Sequence, residues 1–232
     1  GYTLETATSR ATATDVTAED VKASCDTLVI KNAAGVDVTS KLKIKYVDGT
    51  IKVTPAELTI TTNSASKVYD GTALKAAGEI TGFVNGETAA FAVTGSQTAV
   101  GTSANTYKLT CNGTAKEANY TISETLGELK VTENQAQITV TTTGGSFVYD
   151  GKEHGATVSV SALPTGYTLE TAASDDKVKD VADGKVTANC DTLVIKNAQG
   201  KDVTKELNIK YVNDTLEVTP ATITVVTLDA EK

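Results

Sequence analysis

The sequence predicts a mostly β protein made of small tandem modules, each about 80 residues long, arranged end to end as an elongated rod. Three observations lead there. Residues 1–62 return as residues 166–227 at a constant offset of 165 with no gap, and 37 of the 62 aligned positions are identical. Self-similarity at a fixed period is the mark of an array, in which each unit packs mainly on its neighbours. Threonine supplies 41 of the 232 residues, and together with valine it points to strands, because β-branched side chains pack well on a pleated surface. Short alternating runs broken by Gly, Asn and Asp turn signals complete the pattern.

Taken in order, residues 1–54 read as the C-terminal part of a module. The run from Gly1 to Ala7 returns as Gly166 to Ala172, and Cys25 to Ala33 returns as Cys190 to Ala198. Asp37 to Leu42, with its twin Asp202 to Leu207, has a capping-type start and room for one turn of helix. Tyr46 to Thr54 reads as a closing hairpin, because Asp48-Gly49 between two alternating runs suits a primed turn with φ > 0 at its centre.

Residues 55–133 read as a complete module. The junction Val53-Thr54-Pro55-Ala56 is short, and proline fixes φ and discourages a preceding helix. Leu58 to Thr62 alternates as a strand, Lys67-Val68-Tyr69-Asp70-Gly71 follows it, and Tyr120 to Thr132 closes the unit. Residues 134–219 read as a second complete module: Ile138 to Thr142, then Phe147-Val148-Tyr149-Asp150-Gly151, then a closing stretch from Tyr211 to Thr219. Pro220 repeats the junction, and 220–232 reads as the first strand of a following module. The order of parts reads as an excerpt from a longer array. Junctions of two to four residues, unlike Gly/Ser linkers, should hold successive units in line.

Composition narrows function. A net charge of −8 disfavours nucleic acid and anionic lipid as partners. No apolar run reaches the length of a membrane span, so no membrane insertion is expected within these residues. The three cysteines, Cys25, Cys111 and Cys190, fall one per module, a poor pattern for disulfides inside each unit. Their strand parity places them on the apolar face, as buried small hydrophobes. Whether they are free or link neighbouring chains stays open at this level.

Candidate sites are few. His154 has no orienting group or nucleophile in its pattern and reads as a solvated loop histidine. The cluster Asp175, Asp176, Asp180 and Asp183 has calcium-like spacing, yet the repeat replaces three of the four, with Arg10, Ala11 and Ala18 at their counterparts. The tyrosines Tyr46, Tyr69, Tyr120, Tyr149 and Tyr211 recur at fixed places and read as packed rings with hydroxyls on backbone, the alternative being an exposed stripe that stacks on sugars. Lys31-Asn32 and Lys196-Asn197 hold the residue types of an isopeptide cross-link, but adjacent residues cannot bridge strands. Sequons at Asn112, Asn119 and Asn213 matter only in a eukaryotic secretory pathway. No catalytic, cofactor or metal site is expected, and no enzyme activity. The residues expected to carry structure are Tyr69, Asp70, Gly71, Tyr149, Asp150, Gly151, Pro55 and Pro220, with the three cysteines.

Three motifs together resemble the MBG or YDG-type repeat domains of Gram-positive surface proteins. These are the K-V-Y-D-G motif at Lys67 to Gly71 (Phe147 to Gly151 with Phe for Lys), the V-T-G-S-Q-T-x-V-G-T segment at Val93 to Thr102, and the closing pattern at Gly35 to Thr54 and Gly200 to Thr219. The resemblance implies β-grasp-like or immunoglobulin-like modules in a secreted, often wall-anchored adhesin on the bacterial surface. A cysteine in each unit departs from the habit of such proteins. The function this implies is a stalk that projects a distal binding domain, its partners being neighbouring repeats of the same chain. The alternatives are that the modules themselves bind host mucin, glycan or protein, or that the chain is a filament subunit built by strand donation.

Overall fold

In a computed structural model that describes residues 1–228, strands make up 46% of the protein, with four single-turn 3₁₀ segments and no α-helix among the described residues. The chain divides into two compact units. The first holds Gly1–Asn63, Ala77–Thr94 and Asn105–Gly127; the second holds Ser64–Ala76, Gly95–Ala104 and the chain from Glu128 onward. The stretch 55–133 therefore contributes strands to both.

In the first unit, Ala56–Thr62 is the centre of a three-stranded sheet, parallel to Tyr120–Thr125 and antiparallel to Gly78–Thr81. Its alternation buries Leu58, Ile60 and Thr62 on one face, as period 2 requires. Leu58 packs with Ala115 and Tyr120, flanked by Ile80, Phe83 and Leu109. Asn105, fully buried, braces this sheet: its amide nitrogen donates to the carbonyls of Asn63 (3.0 Å) and Ala77 (3.3 Å). Thr62 Oγ1 donates to Asn105 O at 2.7 Å and accepts from Gly127 N at 2.9 Å. Two smaller pairs complete the unit's first 54 residues, Tyr2–Thr8 with Thr27–Asn32, and Val21–Ala23 with Gly49–Ile51, both antiparallel.

The second unit repeats this plan more fully. Ile138–Thr143 lies between Ile209–Val212, parallel, and Thr157–Val160, antiparallel. Asp214–Thr219 lies between Gly145–Val148, parallel, and Val186–Ala188, antiparallel. Tyr167–Ala173 pairs with Thr192–Asn197 and bulges between Leu169 and Thr171. Val178, Ala188, Leu216 and Val218 form the core, with Phe147, Ala156 and Val186 against it. Glu128–Thr132 joins Ala65–Val68, parallel, and Gly101–Ala104, antiparallel.

The closing strands correct the hairpin expectation. Ile209–Val212 and Asp214–Thr219 are one residue apart in sequence but belong to different sheets, each parallel to one strand of the opening pair. The opening pair crosses between the same two sheets at Gly144, where a Cβ would lie 2.2 Å from Thr215 O, so the two crossovers touch backbone to backbone. In the first unit Gly49–Ile51 pairs with Val21–Ala23, and neither Asp48 nor Gly49 takes the positive φ that a primed turn needs. The helical turns form as expected, as 3₁₀ turns at Thr39–Lys41 and Thr204–Glu206. Asp37 Oδ1 and Asp202 Oδ1 each accept from the threonine N–H two residues on, at 2.8 and 2.9 Å. Residues 221–228, expected to open a further module, have no strand partner among the described residues; the last four residues of that expected strand lie outside them.

Candidate functional site: a tyrosine turn and its docking loop

The Tyr-Asp-Gly motif forms a turn held by its own carboxylate. Asp70 Oδ1 accepts from Lys67 Nζ (2.6 Å), Thr72 N (2.9 Å) and Thr72 Oγ1 (2.8 Å). These bonds to the charged form, the lysine's first, hold the Asp70 carboxyl down at about 2. Tyr69 N donates to Thr132 O at 2.8 Å, tying the turn to the last strand of 55–133.

This turn docks on a loop of 134–219, all inside the second unit. Tyr69 is 2% exposed. Its hydroxyl donates to Gln199 Oε1 at 2.9 Å and accepts from Ala198 N at 3.0 Å. Its ring tilts against Tyr167 with centroids 5.2 Å apart, a favourable aromatic arrangement. The two backbones nearly touch: a Cβ on Gly166 would fall 2.5 Å from Asp70 C, and one on Gly71 would fall 3.0 Å from Ala198 Cβ. Burial pushes the Tyr167 phenol up. The loop is rigid by itself, since Asn197 Oδ1 accepts from Gln199 N and Lys201 N, each at 3.0 Å, and Gly200 N donates to Asn197 O at 2.9 Å.

Tyr149-Asp150-Gly151 forms the same turn, with no loop seated on it among the described residues. Tyr149 N donates to Thr219 O at 2.9 Å, and Asp150 Oδ1 accepts from Lys152 N at 2.9 Å. That backbone bond is the main reason the Asp150 carboxyl is held low. Gly151 takes φ +78 against +81 at Gly71. Yet Tyr149 is 45% exposed, and nothing lies within 4 Å of a Cβ at Gly151. Phe147 replaces Lys67 here and stacks on His154, centroids 4.2 Å apart and 9° from parallel. His154 Nε2 also lies 3.0 Å from Asp150 Oδ1. The solvated-loop reading of His154 is therefore corrected: it is a partly buried ring stacked on Phe147 and placed against the Asp150 carboxylate.

The remaining candidates fall as follows. Tyr120 is buried, donating to Glu87 Oε2 at 2.7 Å and accepting from Val84 N at 3.2 Å, but Tyr46 and Tyr211 are about half exposed, so the packed-ring expectation fails for these two and for Tyr149. The buried-cysteine expectation fails as well: Cys25 and Cys111 are exposed and Cys190 is partly so, all as free thiols. Their strands end at Ala23, Thr110 and Ala188, so alternation no longer sets which way the next side chains point. Burial raises the Cys190 thiol. Lys31 and Lys196 pair with Glu5 (2.8 Å) and Glu170 (2.6 Å), not with asparagine. Asp176 Oδ2 accepts from Asn189 N, and Asp183 Oδ2 from Lys179 N and Asp180 N, which makes these carboxylates turn acceptors. No group of metal-ligating side chains occurs among the described residues. Pro55 and Pro220 are exposed at the junctions.

Sequence reasoning missed one contact outright. Asp15 takes Lys116 Nζ at 2.5 Å and Asn119 Nδ2 at 2.8 Å, and Val16 N donates to Asn119 Oδ1 at 2.8 Å. Its only trace in the sequence is that Asp15-Val16 and Asp180-Val181 survive the repeat within a stretch that otherwise diverges.

Residues 58–130, about a third of the chain, match the model of the MBG domain (YGX type). That match bears out the resemblance carried by Lys67 to Gly71 and Val93 to Thr102. Comparison with curated proteins gave no match.

Proposed function

We propose that the chain is a spacer in the repeat region of a bacterial surface protein, holding a distal binding domain away from the cell. The observation that carries this reading is the seating of Tyr69 on Tyr167, Ala198 and Gln199, which ties the opening turn of one repeat to a loop of the next. A flexible linker would contain nothing of the kind. MBG domains are typical of surface proteins, which supports an extracellular setting. No helix of the described residues is long and apolar enough to cross a membrane. In this reading the role of the chain is to set distance.

Small-angle scattering on the chain, and on versions lengthened by whole modules, tests this. A maximum dimension that grows in equal steps per module supports the spacer; a compact particle whose radius grows only slowly would sink it. A second reading has one observation in its favour, the exposed rings Tyr2, Tyr46, Tyr149 and Tyr211, which suit stacking on sugars. Saturable binding of the whole chain to mucin or to arrayed glycans, lost on replacing those rings, would put ligand binding in place of the spacer.

A further inference from the structure

We propose that the cleft between Tyr107–Thr110 and Tyr120–Thr125 binds a small organic cation, one ammonium group carried on a compact aryl or branched-alkyl body.

The cleft follows from strand pairing inside the first unit. Tyr107–Thr110 pairs with Ala90–Val93, and Tyr120–Thr125 pairs with Ala56–Thr62. Each has that single ladder partner among the described residues, so each keeps one edge unpaired. Between them lies a cavity of about 690 Å³, walled by Tyr107 and Leu109 from one strand and by Tyr120 and Ile122 from the other. Leu58, 1% exposed, lies beneath, and Ile122, 50% exposed, stands at the rim. A volume of this size suits a small ligand.

The walls are already in place. The Tyr107 ring rests on Phe91 with centroids 5.7 Å apart, and the Tyr120 ring meets Phe83 edge-on at 5.6 Å. Binding therefore orders little that is not ordered beforehand, which spares affinity. One end is also closed: the Tyr107 hydroxyl donates to Glu124 Oε2 at 2.6 Å and ties the two strands together. An extended peptide running the length of the cleft would have to break that tie. A compact molecule would not.

The charge on the lining has one sign. Glu117, which opens the 3₁₀ turn Glu117–Asn119, is the one charged side chain at the cavity wall among the described residues. Its carboxylate takes part in no hydrogen bond or ion pair among them. The neighbouring ammonium groups are directed elsewhere. Lys108 falls on the opposite parity of its strand, and Lys116 is paired with Asp15 at 2.5 Å. An unpaired carboxylate beside two aromatic faces attracts a cation and repels an anion. The leucine and isoleucine walls favour an apolar body on that cation. This proposal is independent of the spacer reading: a module that binds an amine still sets distance, and failure here would leave the scattering result untouched.

NMR titration of the whole chain with phenethylammonium tests it, with phenethyl alcohol and hydrocinnamate as neutral and anionic counterparts. The ammonium should give saturable shifts at the amides of Tyr107–Cys111 and Glu117–Ile122, with a Kd of about 1 mM. The alcohol should bind about fivefold more weakly or worse, and the carboxylate not at all. Glu117→Gln should weaken the ammonium by about fivefold, and Ile122→Ser by about threefold. Glu117 is exposed and Ile122 half-exposed, so circular dichroism should not change in either variant. Cys111 supplies a separate readout, because it lines the cavity and Cys25 does not: the ammonium should slow alkylation of Cys111 and leave that of Cys25 alone. Shifts that fail to saturate, equal affinity for the alcohol, or unchanged ammonium affinity in Glu117→Gln would each overturn the proposal.

Discussion

Residues 1–54 and 166–219 are close to the same sequence, and they do not have the same structure. In the later copy Ala188, Ile195 and Leu216 are fully buried; their counterparts Ala23, Ile30 and Ile51 are only half-buried. Ile209–Val212 is a strand, whereas identical Ile44–Val47 is not. What differs is the company each keeps. The later copy is paired with Ile138–Thr143 and Gly145–Val148, and the earlier one has no such partners among the described residues. Elements that need nothing distant survive in both, including the bulged hairpins Tyr2–Thr8/Thr27–Asn32 and Tyr167–Ala173/Thr192–Asn197 and the 3₁₀ turns that follow Asp37 and Asp202. Side-chain alternation is thus permission to be a strand, and a ladder partner makes it one.

The most damaging way to break the comparison is Val140→Asp. It places a carboxylate in a fully buried site, at a cost of about 4 kcal/mol or more. Hydrogen exchange should then show the Ile209–Val212 amides losing protection until they match Ile44–Val47; retained protection would contradict the dependence on a partner. Next is cavity formation at one repeat position. Leu216→Ala should cost about 2–5 kcal/mol in the 134–219 region, and Ile51→Ala clearly less, as seen by exchange at the amides flanking each site.

Docking gives a smaller contrast. Gly166→Ala must push a methyl into the Asp70–Gly71 peptide, costing about 1–3 kcal/mol and freeing Tyr69, which a tyrosine ring resonance in NMR would report. Gly1→Ala, with open space around it, should leave spectrum and stability alone. Tyr69→Phe removes only the hydroxyl's two bonds, about 1 kcal/mol, and Tyr149→Phe should be silent in thermal melts.

Acid should give the smallest effect. The Asp70 carboxyl is held at about 2, below its ordinary value. The turn is therefore fully stabilised above the ordinary carboxylate range and loosens as pH falls towards 2. Asp70→Asn should flatten that dependence, measured as tyrosine fluorescence between mild and strong acid.

How much of this was legible follows from the same distinction. Thr-rich alternation, the Asp-x-Thr turns and the repeat offset are signals carried by the sequence itself, and they gave the β class and most strand positions. The closing pair read as a hairpin because Asp48-Gly49 looks locally like one. In 134–219 the two closing strands instead belong to separate sheets, a choice made by partners some 70 residues away in sequence. The cysteines were misplaced because parity was carried past the ends of their strands. Tyr69 and Tyr149 share a motif, and nothing in Val-Tyr-Asp-Gly says that one is covered and the other open; that is decided by the loop at Asn197–Gly200.

The parallel pairing of opening and closing strands has a mechanical consequence. In 134–219 the first strand runs parallel alongside the penultimate and the second parallel alongside the last. Tension applied through the two ends of the module would drag these neighbours past each other in shear. The evenly spaced bonds of a parallel ladder would then resist as a set, where a hairpin pulled at its open end would unzip one rung at a time.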